Sequence, residues 1–241
     1  MARIGDYETA PDAGPASWVI AGLRGFGESV LSLVPEGFEA CARIFHPAWN
    51  YEPEAPVRWR DVARANGRTA HRMMHWPSIT GSYRFCESDG QPGVWDHQPE
   101  EGSLPEALVP VLTSVLTRHT AAPGRCWFAV WDGWGALEPG VTEAPAFEIP
   151  HRRLFLLTGP STAVRQSLET PPWWQSPTLW WPDDRAWCVA TEVDLMSTYV
   201  GGTRACIAEL ARHPDLEAVE IQPSDGVNWA SDQVNPVPAR D

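Results

Sequence analysis

The sequence predicts an α+β protein: a single mixed or antiparallel sheet of four or more strands with helices packed on it. Three observations carry this expectation. Short continuous apolar runs at 125–131, 152–157 and 186–193 have strand length and are apolar at both parities, as central strands covered on both faces require. Leu104, Ala107, Leu108, Val111, Leu112, Val115 and Leu116 repeat at three and four, the stripe of an amphipathic helix. The second half then alternates in the order β-β-α-β-α-β, which suits one sheet with helices laid on it; strand direction is left open.

The elements follow in chain order. Residues 1–15 are polar, with Pro11, Gly14 and Pro15, and are expected to form a flexible arm. Residues 16–222 are expected to be one globular domain, and 223–241 a polar C-terminal tail whose last six residues move. A helix is expected at 17–34, closed by Pro35-Glu36-Gly37, then a strand at 38–45 ending at His46-Pro47. Pro47, Pro53 and Pro56 mark 47–57 as loop. A short helix at 61–66 is closed by Gly67. Residues 68–102 show no clear period, with loops at 88–93 and 99–102. Ser103 and Glu106 make an S-x-x-E capping box with Pro105 in its first turn, so a helix is predicted from 103 to near His119. Ser161 caps a predicted helix at 162–168, and another at 203–212 is stopped by Pro214. In the strand at 217–221, Val219 and Ile221 face inward and Glu220 outward.

Composition narrows the chemistry. Eighteen basic against 31 acidic residues give a net charge of −13, a field that repels phosphate backbones and anionic lipid and draws basic partners inward. Neither nucleic acid nor membrane is therefore an expected partner. All the basic residues are arginine, so lysine chemistry (Schiff base, P-loop cation) is excluded. Cys41, Cys86, Cys126, Cys188 and Cys206 form no C-x-x-C pair and fit a reducing, cytoplasmic setting without disulfides, with Cys126, Cys188 and Cys206 as small buried hydrophobes. The start lacks a cationic segment followed by an apolar run, and glycines and charges interrupt 18–34, so neither signal peptide nor membrane span is expected.

Fourteen tryptophans supply the candidate sites. Indoles are enriched where one side is apolar and the other wet, as at interfaces. Trp131, Asp132 and Trp134 end a predicted strand on a glycine-rich turn, where binding residues concentrate; the plainer reading is a turn plugged by indoles. Trp180, Trp181, Asp184 and Arg185 surround Pro182-Asp183, a type I turn whose acid and guanidinium could form a recognition patch. Glu192 and Asp194, two apart at a strand end, could bind a metal or divide acid and base roles, but no further ligand stands at a recognisable spacing. Gly201-Gly202-Thr203-Arg204 could receive an anion at a helix start, and His71 and His75 are four apart without the glutamate of the metalloprotease motif. Gly159-Pro160-Ser161 is not a nucleophile elbow. No catalytic residue, metal or cofactor is assigned. If the strands starting near 125 and 186 are antiparallel neighbours, Trp131-Asp132 and Asp184-Arg185 should meet at one edge.

Val34-Pro35-Glu36-Gly37-Phe38, Ala42-Arg43-Ile44-Phe45-His46-Pro47-Ala48, Arg125-Cys126-Trp127-Phe128 with Trp131-Asp132-Gly133, and the run from Trp180 to Glu192 carry a resemblance. Over most of 30–205 the chain resembles an uncharacterised family of high-GC Gram-positive (actinobacterial) proteins, which implies no activity. In style it also resembles immunity proteins of bacterial toxin systems, the Smi1/Knr4-like ones included. The function expected first is a non-catalytic acidic protein-binding module with a basic protein partner, in an immunity or regulatory role. The alternative is an enzyme or small-ligand binder with a pocket at the sheet end lined by Trp131, Asp132, Trp180, Asp184, Arg185 and Glu192. A flat acidic patch favours the first; a deep cleft with converging polar groups favours the second.

Overall fold

Strands of the predicted kind pair into one large antiparallel sheet in the computed structural model, which describes residues 3–86 and 90–239. In chain order the elements are β1 (Arg3–Ile4), β2 (Tyr7–Thr9), α1 (Ser17–Gly22), β3 (Ala40–Phe45), β4 (Ala48–Tyr51), β5 (Glu54–Val57), α2 (Trp59–Ala65), α3 (Trp76–Thr80) and α4 (Val109–Arg118). Then follow β6 (Cys126–Trp131), α5 (Pro139–Thr142), β7 (Ala146–Ile149), β8 (Arg152–Gly159), β9 (Leu179–Pro182), β10 (Cys188–Thr191), β11 (Ser197–Gly202), α6 (Arg204–Arg212) and β12 (Ala218–Ile221). The sheet runs β1-β2-β8-β6-β9-β10-β11-β3-β12, with β7 also on β8, and β4 and β5 form a separate hairpin.

The period of two explains the layering. Along β6, Cys126, Phe128 and Val130 face one core, while Trp127 and Ala129 face another. The first core receives α4 and α6 through Leu112, Val115, Leu116, Ile207 and Leu210. The second receives the segment before β3 through Val19, Leu23, Val30 and Leu33. A third cluster, with Trp59, Trp76 and Trp95, packs beyond the Phe45 end of β3. Each fully buried side chain of this size stabilises the fold by about 1.5–3 kcal/mol. Cys126, Cys188 and Cys206 are buried in these cores, as their apolar settings predict. Among the described residues, no helix is long and apolar enough to cross a membrane.

Several expectations are corrected. The arm at 1–15 instead contributes β1 and β2, because Tyr7 is fully buried against Phe128, with ring centroids 5.0 Å apart. The helix expected at 17–34 stops at Gly22; Gly25 and Gly27 have φ of 68° and 64°, which a right-handed helix does not accommodate. The loop at 47–57 is the β4–β5 hairpin, isolated enough to carry Pro56. The capping box at Ser103 does not form. Pro105 is extended (ψ 133°), and Ser103 Oγ accepts the Ser176 N–H at 3.0 Å, so the helix proper starts at Val109. Ser161 opens a 3-10 turn, Ser161–Arg165, rather than an α-helix. Leu179–Pro182 and Ser197–Gly202 are strands where none was expected. Gly201 is required in the second of these, since a Cβ there would lie 2.4 Å from the Phe38 ring. The tail folds back: Val227, Asp232 and Asn235 are buried, and Asn235 exchanges two hydrogen bonds with the backbone of Thr69 (2.9 and 3.0 Å). The loop expected at 88–93 lies partly outside the described residues.

Candidate functional site

The β6–β9 register separates the two predicted patches. Cys126 pairs with Pro182 and Ala129 with Leu179, so the 183–185 turn lies beside the start of β6 and Trp131 at its far end. Five residue rises, about 17 Å, separate them, and the expected meeting of Asp132 with Arg185 does not occur. Trp180 and Trp181 sit on opposite faces of β9 inside the two cores; Trp180 packs edge-on to Trp187 (4.9 Å) and Trp181 to Trp18 (5.9 Å). Asp184 accepts hydrogen bonds from Thr120 Oγ1 (2.8 Å) and the Ala121 (2.7 Å) and Ala186 (3.2 Å) N–H groups, and Arg185 lies over the Trp18 ring at 5.4 Å.

At the other end the predicted residues do converge. Trp131 packs edge-on to Trp134 at 5.5 Å, and Asp132 pairs with Arg153 at 3.0 Å. Arg152, opening β8, lies over the Trp131 ring (5.1 Å) and holds both Glu192 and Asp194 at 2.8 Å. Glu192 accepts the Asp194 N–H at 2.7 Å, which fixes the turn after β10. One guanidinium thus faces two carboxylates, and Asp194 remains 75 % exposed.

These carboxylates flank a cleft of about 510 Å³ whose walls include Phe26, Leu33, Leu195, Val227 and Trp229. It is a predominantly apolar concavity of the size that binds small molecules. No family model, curated protein or solved structure matches the chain. Geometry alone therefore carries the assignment.

Asp194, Leu195 and Trp229 also line a second, deeper cavity of about 20 Å³, room for one water-sized group. Arg43, His75 and Glu101 line it too. Arg43 is buried in mid-strand, where its Nε donates to Ser197 Oγ (3.1 Å) and its Nη1 to the carbonyls of Met74 (2.9 Å) and Arg72 (3.2 Å). Phe45, Trp59 and Tyr199 stack around it, at 4.5, 5.5 and 5.8 Å from Cζ. It makes no ion pair among the described residues; burial pushes its pKa down, while Tyr199, Asp232 and Glu217 oppose that shift. A buried cation without a bonded counter-ion is costly. Burial, with Arg43 adding to it, also holds His75 well below the usual histidine range, so the ring is neutral, and its Nε2 has no hydrogen-bond partner. Asp232 collects the two histidines of the 71/75 pair, bonding His71 Nε2 (2.9 Å) and the His75 N–H (3.3 Å). That is an anchor for the tail, and no group of three metal-ligating side chains is found among the described residues. At the cavity mouth, loss of solvent raises the Glu101 carboxyl, and Asp194 and Glu192 raise it further.

Arg43, His75, Phe26 and Trp229 were not among the predicted site residues. Arg43 had a visible signal, a charge inside the apolar run Ala40–Phe45. His75 was visible only as half of the 71/75 pair, and Phe26 and Trp229 carried no local signal, because their positions depend on distant segments.

Proposed function

We propose that the protein binds a small ligand, and that the ligand is a zwitterion with an apolar body, as an apolar α-amino acid is. One observation carries this reading: an apolar cleft and a small cavity share Asp194, Leu195 and Trp229 in their walls, and the cavity is also lined by Glu101 and by a buried arginine, Arg43, that has no ion-pair partner among the described residues. A ligand ammonium fits Glu101 and Asp194, a carboxylate oxygen fits the Arg43–His75 cavity, and the body lies against Phe26, Leu33 and Trp229. Binding would supply the directly bonded counter-ion that Arg43 lacks, and charge-assisted hydrogen bonds are the strong ones. Calorimetric titration with L-phenylalanine, phenethylamine and 3-phenylpropionate tests the reading. We expect the amino acid to bind about tenfold or more tightly than either single-charge analogue, and D194N to erase its advantage over 3-phenylpropionate. If none of the three binds, the cleft is not this site.

The acidic protein-binding module is the second reading, supported by the charge of −13 and by Trp173, which stays 64 % exposed. Salt-sensitive binding of a short arginine-rich peptide, unaffected by D194N, would favour it.

A further inference from the structure

A second cleft, remote in chemistry from the first, gathers basic side chains in an acidic molecule. The chain carries −13, yet four of its eighteen arginines, Arg58, Arg60, Arg72 and Arg212, line one concavity of about 400 Å³, with His71 and His213 in its walls. Arg58 caps α2 and Arg60 stands in its first turn; Arg212 is the last residue of α6, and Arg72 comes from the segment before α3. Three separate stretches of chain therefore converge there.

Three acids offset part of this charge, each on a basic group of the cleft wall. Asp225 pairs with Arg72 through both oxygens (2.7 and 3.2 Å), Asp232 with His71, and Asp215 lies 4.0 Å from His213. Glu217, the carboxylate lining the cleft, gives its oxygens to the Trp59 (2.6 Å) and Arg60 (2.9 Å) N–H groups at the start of α2. Arg58, Arg60 and Arg212 make no ion pair among the described residues. Arg58 donates to the Pro214 carbonyl and Arg212 to that of Ala208 (3.4 Å), contacts that place both without an ion pair, while the Glu217 carboxylate offsets part of the charge of Arg58 and Arg60. Like charges held together repel, and the arrangement becomes favourable when an anion joins it.

We propose that this cleft binds the phosphate group of a small phosphorylated metabolite. Guanidinium forks match phosphate oxygens two at a time. The cleft has the volume for a small molecule rather than a flat track for a polymer. The strongly acidic remainder of the surface opposes a long polyanion, whose charges would extend beyond the four arginines.

The test is calorimetric titration of the full chain with adenosine 5′-monophosphate, glucose 6-phosphate and inorganic phosphate. Adenosine and glucose serve as unphosphorylated controls, and a single-stranded oligonucleotide as the long polyanion. The phosphorylated compounds should bind, more weakly as salt rises, and their controls should not. R60A and R212A should each weaken binding about tenfold or more. Both side chains are exposed, so folding should survive, which circular dichroism checks. R165A removes an exposed arginine outside the cleft and should change nothing. The proposal is overturned if no phosphorylated probe binds, if R165A weakens binding as much as R60A, or if the oligonucleotide outcompetes the mononucleotide.

Discussion

At the Cys126 end of strand β6, Trp127 meets Asp183 and Arg125; at the other end, Trp131 meets Arg152, and Asp132 next to it meets Arg153. The residue types are the same. At the first end Asp184 takes hydrogen bonds from Thr120, Ala121 and Ala186, while Asp183 accepts the Trp127 Nε1–H at 2.9 Å. Those acids act as caps, and the turn closes on itself. At the second end the acids lean on arginines, Asp194 stays exposed, and an apolar cleft opens beside them. The lesson is one of donors. A carboxylate surrounded by its own chain's N–H groups stabilises a turn; one with few such donors keeps oxygens for a ligand.

Three measurements sharpen or break that contrast. The largest effect is expected from W187A at the closed end. Trp187 is fully buried, its Nε1 donates to the Leu116 carbonyl at 2.9 Å, and its loss should cost about 4 kcal/mol in urea unfolding. A loss under about 1 kcal/mol would mean that this end is not packed as described. Next is D184A, which removes the cap and should cost about 2 kcal/mol while leaving cleft affinity unchanged. A change in ligand affinity would join the two ends and defeat the contrast.

The smallest effect concerns pH and belongs to the open end, where the loop carrying Glu100 and Glu101 passes. Burial first, and then Glu106, push the Glu100 carboxyl from its ordinary 4.5 up to about 7. The folded state therefore holds this proton more tightly than the unfolded chain. Its contribution is complete below pH about 4.5 and is lost as pH rises through about 7. E100Q should flatten that part of the stability profile and exceed the parent at pH 8 by about 1 kcal/mol, after allowance for solvent screening. Parallel profiles for the two proteins between pH 4.5 and 8 would refute the assignment.

Legibility in the sequence followed the strength of local signals. The runs that became β6, β8 and β10 were readable because burial on both faces leaves no polar parity. Helix α6 was readable because Thr203 caps it, accepting the Cys206 N–H at 3.2 Å, and Pro214 stops it. The strand Ser197–Gly202 was hidden by its glycine pair, which looks like a turn until Phe38 is packed on Gly201. Ser103 misled because a capping motif and a tertiary hydrogen bond use the same hydroxyl, and Ser176 was nearer. Of the predicted residues, Trp131, Asp132, Trp134 and Glu192 lie at one end of β6 and Asp184 and Arg185, expected beside them, at the other; Glu192 alone of these lines the cleft. Nothing local says which strand pairs with which.

By itself the sequence determined the class of the fold, the two-sided character of the central strands and the acidic field, because these depend on periodicity and composition. Only the tertiary structure decided strand order, and with it which acids meet which arginines. Pairing register is a long-range choice, made when β9 inserts between β6 and β10 and sends the Asp183 turn to one end and Glu192 to the other. The same holds for Arg43 and for the arginine cleft. Each is assembled from segments up to some 150 residues apart in the chain, and the energy that holds them is the burial of aromatic neighbours rather than any local motif.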